Sequence, residues 1–422
     1  MMKQKIIDFL NLANYDIKIS KNARWIDQKC TPDVLCIIAD CILQYTDYNT
    51  NIEFSIKDIW DSPYAKENVV AIFSKPSTDS NKAKNEYDKF FSQPIKLFEY
   101  SGILIQTSNT TNRLRFKIKH LGLLDFIMKR DTNALTFLLL YIKKVLQDSG
   151  IFRDFEYFLQ KQDKQSFKRL KEKFYNFTKI NTPINTRTEC YRIFTKILNP
   201  LAFECKKLGT RKGNLSKTII TFDELKYNRV NWRDEFSNKD KTLTRKEHAL
   251  LHHIEAITKY NVEKAKRIVR SYNDRFNNGN SEIKQESENV KGTQIHHIFP
   301  SSMYPSIRDF LENLIAITPN QHYTMAHPNN NTNHIDKDFQ YICLLAKTNT
   351  IMKDLKENVS SETYDFNQYK IVLNTGLETN DFDSIKELDF INLMEKIDIF
   401  YSDFQKYTDL AECNKPVMQY AK

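Results

Sequence analysis

The stretch that most narrows what this chain can fold into is residues 291–328, KGTQIHHIFPSSMYPSIRDFLENLIAITPNQHYTMAHP. Five of the nine histidines fall between positions 296 and 334. Neutral imidazole is a common metal ligand and the usual proton carrier near neutral pH, so such crowding points to chemistry. Residues 294–298 (QIHHI) read as a short strand, which Pro300 and the Ser301–Ser302 pair end. Residues 313–317 read as a second short strand or an extended loop, and Pro319–Asn320 open a helix that carries His322. A strand, a loop, a strand and a helix can bring His296 and His322 onto one ion. Neighbouring residues of a strand point to opposite faces, so His296 and His297 are expected to do different jobs.

In order and spacing, His296–His297, Asn313 and then His322 nine residues further on resemble the HNH nuclease family, the ββα-metal or His-Me finger. The doubled histidine looks like the colicin-type version, and the resemblance covers about forty residues. It implies that His297 is the general base, that His296 and His322 bind one divalent cation, and that Asn313 pins the loop orienting His297. The family's colicin branch has a further ligand four residues after the helix ligand. Here the gap to His327 is five, which lies well round a regular helix. The residue before a proline tends to leave the helical region, however, so His327, before Pro328, can swing in as a third ligand.

The chemistry fits these residue types. Phosphodiester hydrolysis needs an activated water and neutralisation of charge on the phosphate and leaving oxygen. One imidazole can take the water's proton and one cation can hold the oxygens. Two imidazole ligands leave positions open, which suits Mg²⁺, Mn²⁺ or a later transition metal. None of the seven cysteines, at 30, 36, 41, 190, 205, 343 and 413, forms a CxxC pair, so no structural zinc is expected. Their scattered spacing reads as reduced thiols of a cytoplasmic protein. No cleavable leader is expected from the opening residues, and no run of 18 apolar residues offers a membrane span.

A chain of 422 residues is long enough for two or three domains. Only eight glycines among many long side chains favour helices, so the expected class is mainly α with small β elements, an α+β arrangement. The formal charge of +10 suits a polyanionic partner. Residues 1–130 read as one unit: helices over 3–12, 32–44 (Thr31 as cap, Pro32 at the first position), 56–60, 67–73 and 85–100 with Pro94 as a break or kink, then a hairpin over 103–107 and 114–119. Three helices followed by a hairpin resemble a winged helix-turn-helix. That implies a DNA-reading helix near 85–93, with Lys84 and Lys89 as contacts and Arg113, Arg115 and Lys117 on or beside the wing. The alternative is a helical subdomain with a solvated basic hairpin.

Residues 131–276 read as a helical recognition or scaffold region, with a buried helix at 134–146, a basic one at 152–177 and a long one at 243–275. Within it, Arg187 and the stretch 206–213 (KKLGTRKG, with Lys207, Arg211 and Lys212) are candidate DNA contacts. That stretch either cradles phosphates or is a charged surface turn. Residues 277–290 read as a polar linker, 291–358 as the nuclease module continued by a helix at 336–356, and 359–422 as an α/β tail with a strand at 369–373 and an amphipathic helix near 385–400.

Two other patterns carry less. His248 and His252 are one helical turn apart, but Ala249 stands where a zinc protease has glutamate. Glu224–Leu225–Lys226 has the form of one half of a PD-(D/E)xK site. The whole therefore reads as a large DNA reader joined to a small cutter. It resembles a type II restriction endonuclease of the HNH class, and the phrases ENLIAITPNQHYTMAHP and NARWIDQKCTPDVL look similar to such bacterial enzymes. That resemblance implies double-stranded DNA as substrate, 5′-phosphate and 3′-hydroxyl ends, and a companion DNA methyltransferase. One motif per chain against two antiparallel strands implies a homodimer on DNA. The alternatives are a DNA-binding regulator with an inactive module and a structure-specific or RNA nuclease.

Overall fold

The computed structural model describes residues 2–73, 84–108, 114–227, 245–285, 290–327, 334–357 and 363–416, of which 84–87, 108 and 245–256 are described by backbone only. The protein is mainly helical with small two- and three-stranded sheets, and it divides into two compact units, Met1–Ala256 and Ile257–Lys422.

The first unit is organised on the helix Pro32–Thr46. Thirteen of its fifteen residues are buried, so it is apolar all round and packs on the helices Leu121–Lys129 and Asp131–Asp148. Pro32 occupies the first turn as expected, but the Thr31 hydroxyl makes no capping bond. Two buried carboxylates interrupt that core: Asp40 accepts a hydrogen bond from the Tyr64 hydroxyl at 2.7 Å, and Asp33 accepts one from the Tyr227 N–H at 2.9 Å. Three short strands, β1 (Phe54–Ser55), β2 (Leu104–Ser108) and β3 (Arg115–Ile118), form an antiparallel sheet in the order β1-β3-β2. The helix Lys84–Tyr100 runs on through Pro94 and turns Phe90, Phe91, Ile95, Leu97 and Phe98 into the core.

The basic stretch 206–213 is not an open loop. Strands β4 (Leu208–Arg211) and β5 (Asn214–Ile219) pair as a hairpin around Lys212–Gly213. Both turn residues have positive φ, +51° and +78°, the conformation of the tight hairpin turns whose twist matches that of the strands.

The second unit holds an antiparallel pair, β6 (Gln294–His297) and β7 (Leu314–Ile317), followed by a short π-helix, Gln321–Ala326, and the helix Lys337–Lys356. The described part of the polar stretch read as a linker, residues 277–285 and 290, is built into this unit. Glu282 exchanges backbone hydrogen bonds with β7: its N–H donates to the Ala316 carbonyl, and its side chain accepts from the Ala316 N–H, both at 2.8 Å. The same carboxylate meets the fully buried Lys347 ammonium at 2.8 Å. A polar composition hides this because the buried charges are paired.

The tail also differs from expectation. Residues 369–373 are helical, within Phe366–Gly376, whose N-cap Asp365 accepts from the Gln368 N–H. The buried positions 369, 372, 373 and 376 carry the helical period, which a five-residue window cannot separate from a strand. Gly376 lets this helix approach the Phe299 ring: a Cβ there would fall 2.4 Å from ring carbons. The expected helix near 385–400 is shorter, Phe390–Phe400. No described helix is long and apolar enough to cross a membrane.

Candidate metal centre

Strand alternation separates the two adjacent histidines. His296 pairs opposite Ile315 and is buried, while His297 pairs opposite Leu314 and is half-buried on the other face. On the His296 side three imidazoles meet. The ring centroids of His296, His322 and His327 lie 5.0–5.2 Å apart. One nitrogen of each ring lies within 4.8 Å of the others. Nε2 of His296 and Nδ1 of His322 are buried and have no hydrogen-bond partner among the described residues. Leaving such groups unpaired costs free energy, and a shared cation is the natural partner for both. His327 donates from Nδ1 to the His334 carbonyl at 2.7 Å, which fixes its tautomer and leaves Nε2 as the electron-pair donor. A backbone partner on the outer nitrogen is the usual support of a metal-bound histidine. Among the described residues no carboxylate joins the cluster.

The five-residue gap from His322 to His327 is absorbed by the backbone. Residues Gln321–Ala326 form a π-helix, with i→i+5 bonds and about 4.4 residues per turn, so a five-residue step comes close to one turn. His327 itself leaves the helix at φ −125°, ψ 66°. The start of the element is fixed by a reciprocal cap. The Gln321 N–H donates to Thr318 Oγ1, and the Thr318 N–H donates to Gln321 Oε1, which also accepts from the Ser281 hydroxyl at 2.6 Å. Sequence reading missed Ser281 and Gln321; the T-x-x-Q spacing at 318–321 was the available signal.

On the opposite face, His297 Nε2 lies 2.9 Å from the Arg308 carbonyl. A carbonyl only accepts, so Nε2 carries the proton and Nδ1 keeps a lone pair. Burial pushes the His297 pKa down to about 4; the Lys266 charge adds to this, while the carbonyl bond and Asp309 oppose it. Burial likewise lowers His296 far below its usual range, with the neighbouring rings of His322, His327 and His297 and then Lys266 contributing. It also lowers His322, with His327 and Lys266 adding to the effect. All three are therefore uncharged near neutral pH, the form in which imidazole binds metal or accepts a proton.

Asn313 holds the loop between these faces. Fully buried, it accepts from the Phe299 N–H at 2.8 Å and donates from Nδ2 to the carbonyls of Phe299 at 3.0 Å and Ile307 at 3.2 Å. It thereby fixes both ends of the segment that presents the Arg308 carbonyl. Arg308 and Asp309 are held from outside by Thr258 (2.7 Å) and Asn261 (3.0 Å) of the helix Arg245–Asn277. The Lys337–Lys356 helix supports the end of β6, where Gln340 donates to the Ile298 carbonyl.

The other candidate contacts are dispersed over the first unit. Lys89, Arg115, Lys207 and Lys212 are exposed, and Lys117 lies 3.4 Å from Glu53. Arg187 is engaged by Glu172 and Tyr191, and Arg211 makes a two-pronged pair with Glu224. The Lys84 side chain, Arg113 and the side chains of His248 and His252 lie outside the described residues. Glu224 also caps its own short helix and Lys226 faces Asp131 and Asp223, so that acidic-x-lysine triplet serves local structure. All seven cysteines are free thiols. Comparison with family models, with curated proteins and with solved structures found no match.

Proposed function

We propose that the chain is a metal-dependent DNA endonuclease of the HNH type, acting as a type II restriction enzyme on duplex DNA. The observation that carries the reading is the three-histidine cluster on one face of β6, with a tautomer-fixed, uncharged His297 on the next residue. His296, His322 and His327 would hold one divalent cation through three neutral nitrogens. That donor set favours Mn²⁺ and the later transition ions over the oxygen-seeking Mg²⁺. Bound there, a cation supplies charge neutralisation at the scissile phosphate and the leaving oxygen.

The residues of the chain supply the rest. His297 Nδ1 takes a proton from the attacking water as the new P–O bond forms. The Arg308 carbonyl holds the ring through Nε2–H and stabilises the imidazolium that results. The P–O3′ bond breaks, leaving a 5′-phosphate on one fragment and, once the oxygen picks up a proton from solvent, a 3′-hydroxyl on the other. Asn313 keeps the Arg308 carbonyl in place.

The first unit supports the DNA-reading half of the proposal. Its order of helices, with β1 joining a β2–β3 hairpin after the Lys84–Tyr100 helix, resembles a winged helix. The chain carries the net positive charge such a reader uses. One cutting centre per chain suits a homodimer on a two-fold symmetric site, and a host would need a companion methyltransferase to protect its own DNA. Incubating the metal-loaded protein with duplex DNA, single-stranded DNA and RNA tests the assignment. Discrete duplex fragments with 5′-phosphate ends at one recurring sequence are expected. Cleavage confined to RNA, or binding without cleavage, would overturn it.

A further inference from the structure

We infer that Lys266, on a helix outside the two strands and the π-helix, is the site's phosphate-binding cation, contacting the scissile phosphodiester beside the three-histidine cluster. The inference rests on the nuclease reading for the identity of its ligand. Its geometry stands on the helix Arg245–Asn277.

Positions 258, 262, 266 and 270 follow one another at four-residue intervals, so they form a single slowly winding ridge. Both ends of that ridge are tied to the site. Thr258 accepts from the Arg308 guanidinium at 2.7 Å, in the loop whose carbonyl fixes His297. Arg270 donates to the Thr293 carbonyl at 2.9 Å, three residues before His296. Lys266 lies between them, ~6 Å along the axis from Arg270 and ~12 Å from Thr258. The ridge thus passes the start of β6, with Ala265 and Val269 buried beside it. Lys266 itself is half-buried and, among the described residues, has no ion-pair partner.

A half-buried cation on a ridge that passes the start of β6 calls for an anion there. No carboxylate joins the three-histidine cluster among the described residues, and the acidic group acting on His297, Asp309, already accepts from Asn261. A phosphodiester supplies one negative charge in the ground state and gains another as water adds. An ammonium group is suited to it as a strongly hydrated point charge with three donors. Nothing in the sequence marks Lys266 out among 63 basic residues; only its place on the ridge does.

The test separates anion binding from catalysis. Wild type, Lys266→Met and Lys266→Arg are each loaded with Co²⁺ and titrated with inorganic phosphate, following the metal's visible absorption; plasmid cleavage is measured alongside with Mn²⁺. Co²⁺ affinity should be equal or slightly higher in Lys266→Met, which also shows that the variant is folded. Phosphate should bind at least ~10-fold more weakly to Lys266→Met, with Lys266→Arg near wild type, and cleavage by Lys266→Met should fall ~10²–10³-fold. Phosphate affinity within twofold of wild type in Lys266→Met, or no phosphate response in wild type, would overturn the assignment. A wild type that binds phosphate through Lys266 yet cuts no plasmid would refute the nuclease reading while leaving the anion site standing.

Discussion

Replacing Asn313 by alanine should cost both stability and cleavage while sparing metal binding. The substitution removes three side-chain hydrogen bonds in a fully buried position: one from the Phe299 N–H and two to the Phe299 and Ile307 carbonyls. The orphaned N–H costs ~1–3 kcal/mol, and carbonyls, with two lone pairs, tolerate loss better, so the total is about 3 kcal/mol. For a unit of this size each kcal/mol moves the melting temperature by ~2–4 °C, which gives a fall of about 6–12 °C. The freed loop no longer fixes the Arg308 carbonyl, so His297 loses its orientation and cleavage falls ~10²-fold or more. Asn313 bonds none of the three ligand rings, whereas losing a ligand's own support typically costs ~10–100-fold in metal affinity; the variant's affinity should therefore stay near wild type. Scanning calorimetry, metal titration and plasmid cleavage on one preparation measure all three. A melting temperature within ~2 °C of wild type, or a large loss of metal affinity with cleavage retained, would refute the reasoning.

Three further outcomes are expected. His297→Ala should lower cleavage ~10²–10⁴-fold with metal affinity kept, and more than a tenth of wild-type cleavage would count against a general base there. His296→Ala, His322→Ala and His327→Ala should each weaken Mn²⁺ or Co²⁺ binding in calorimetry, His327 included; a His327 variant that binds like wild type would reduce the site to two ligands. For the metal-free protein, His297 titrates near 4 when folded and near 6.5 otherwise, so unfolding takes up protons between those values. The stabilisation from keeping this ring neutral is complete above pH 6.5 and is lost as the pH falls towards 4, about 3 kcal/mol in all. Denaturant melts of wild type and His297→Asn across that range should converge at the acid end, and parallel curves would contradict it.

The sequence marked the site better than it marked the surroundings. His296, His297 and Asn313 were legible because strand alternation and one short spacing place them. His327 was legible as a third ligand only through Pro328, which lets it leave a helix; the π-helix that takes up the five-residue gap was not, because no local propensity announces that backbone. The Arg308 carbonyl and the His334 carbonyl were invisible because backbone acceptors carry no residue signature. Residues 277–290 read as a linker because they are polar without apolar periodicity; Glu282 is buried all the same, and its buried partner Lys347 stands 65 positions away. Residues 369–373 read as a strand because five residues are too few to show the four-residue step to Gly376. The buried helix Pro32–Thr46 and the β2–β3 hairpin, by contrast, follow from apolar runs and turn residues alone.

Cutting should follow the filling of one metal site. Metal-free protein titrated with Mn²⁺ in the presence of supercoiled plasmid, with binding and cleavage read at each addition, makes that comparison. Cleavage should rise in step with occupancy and level off at one ion per chain, and His296→Ala should do neither at the same concentrations. A wild type that takes up one ion at the three histidines and leaves the plasmid intact, or that cuts equally well without metal, would contradict it.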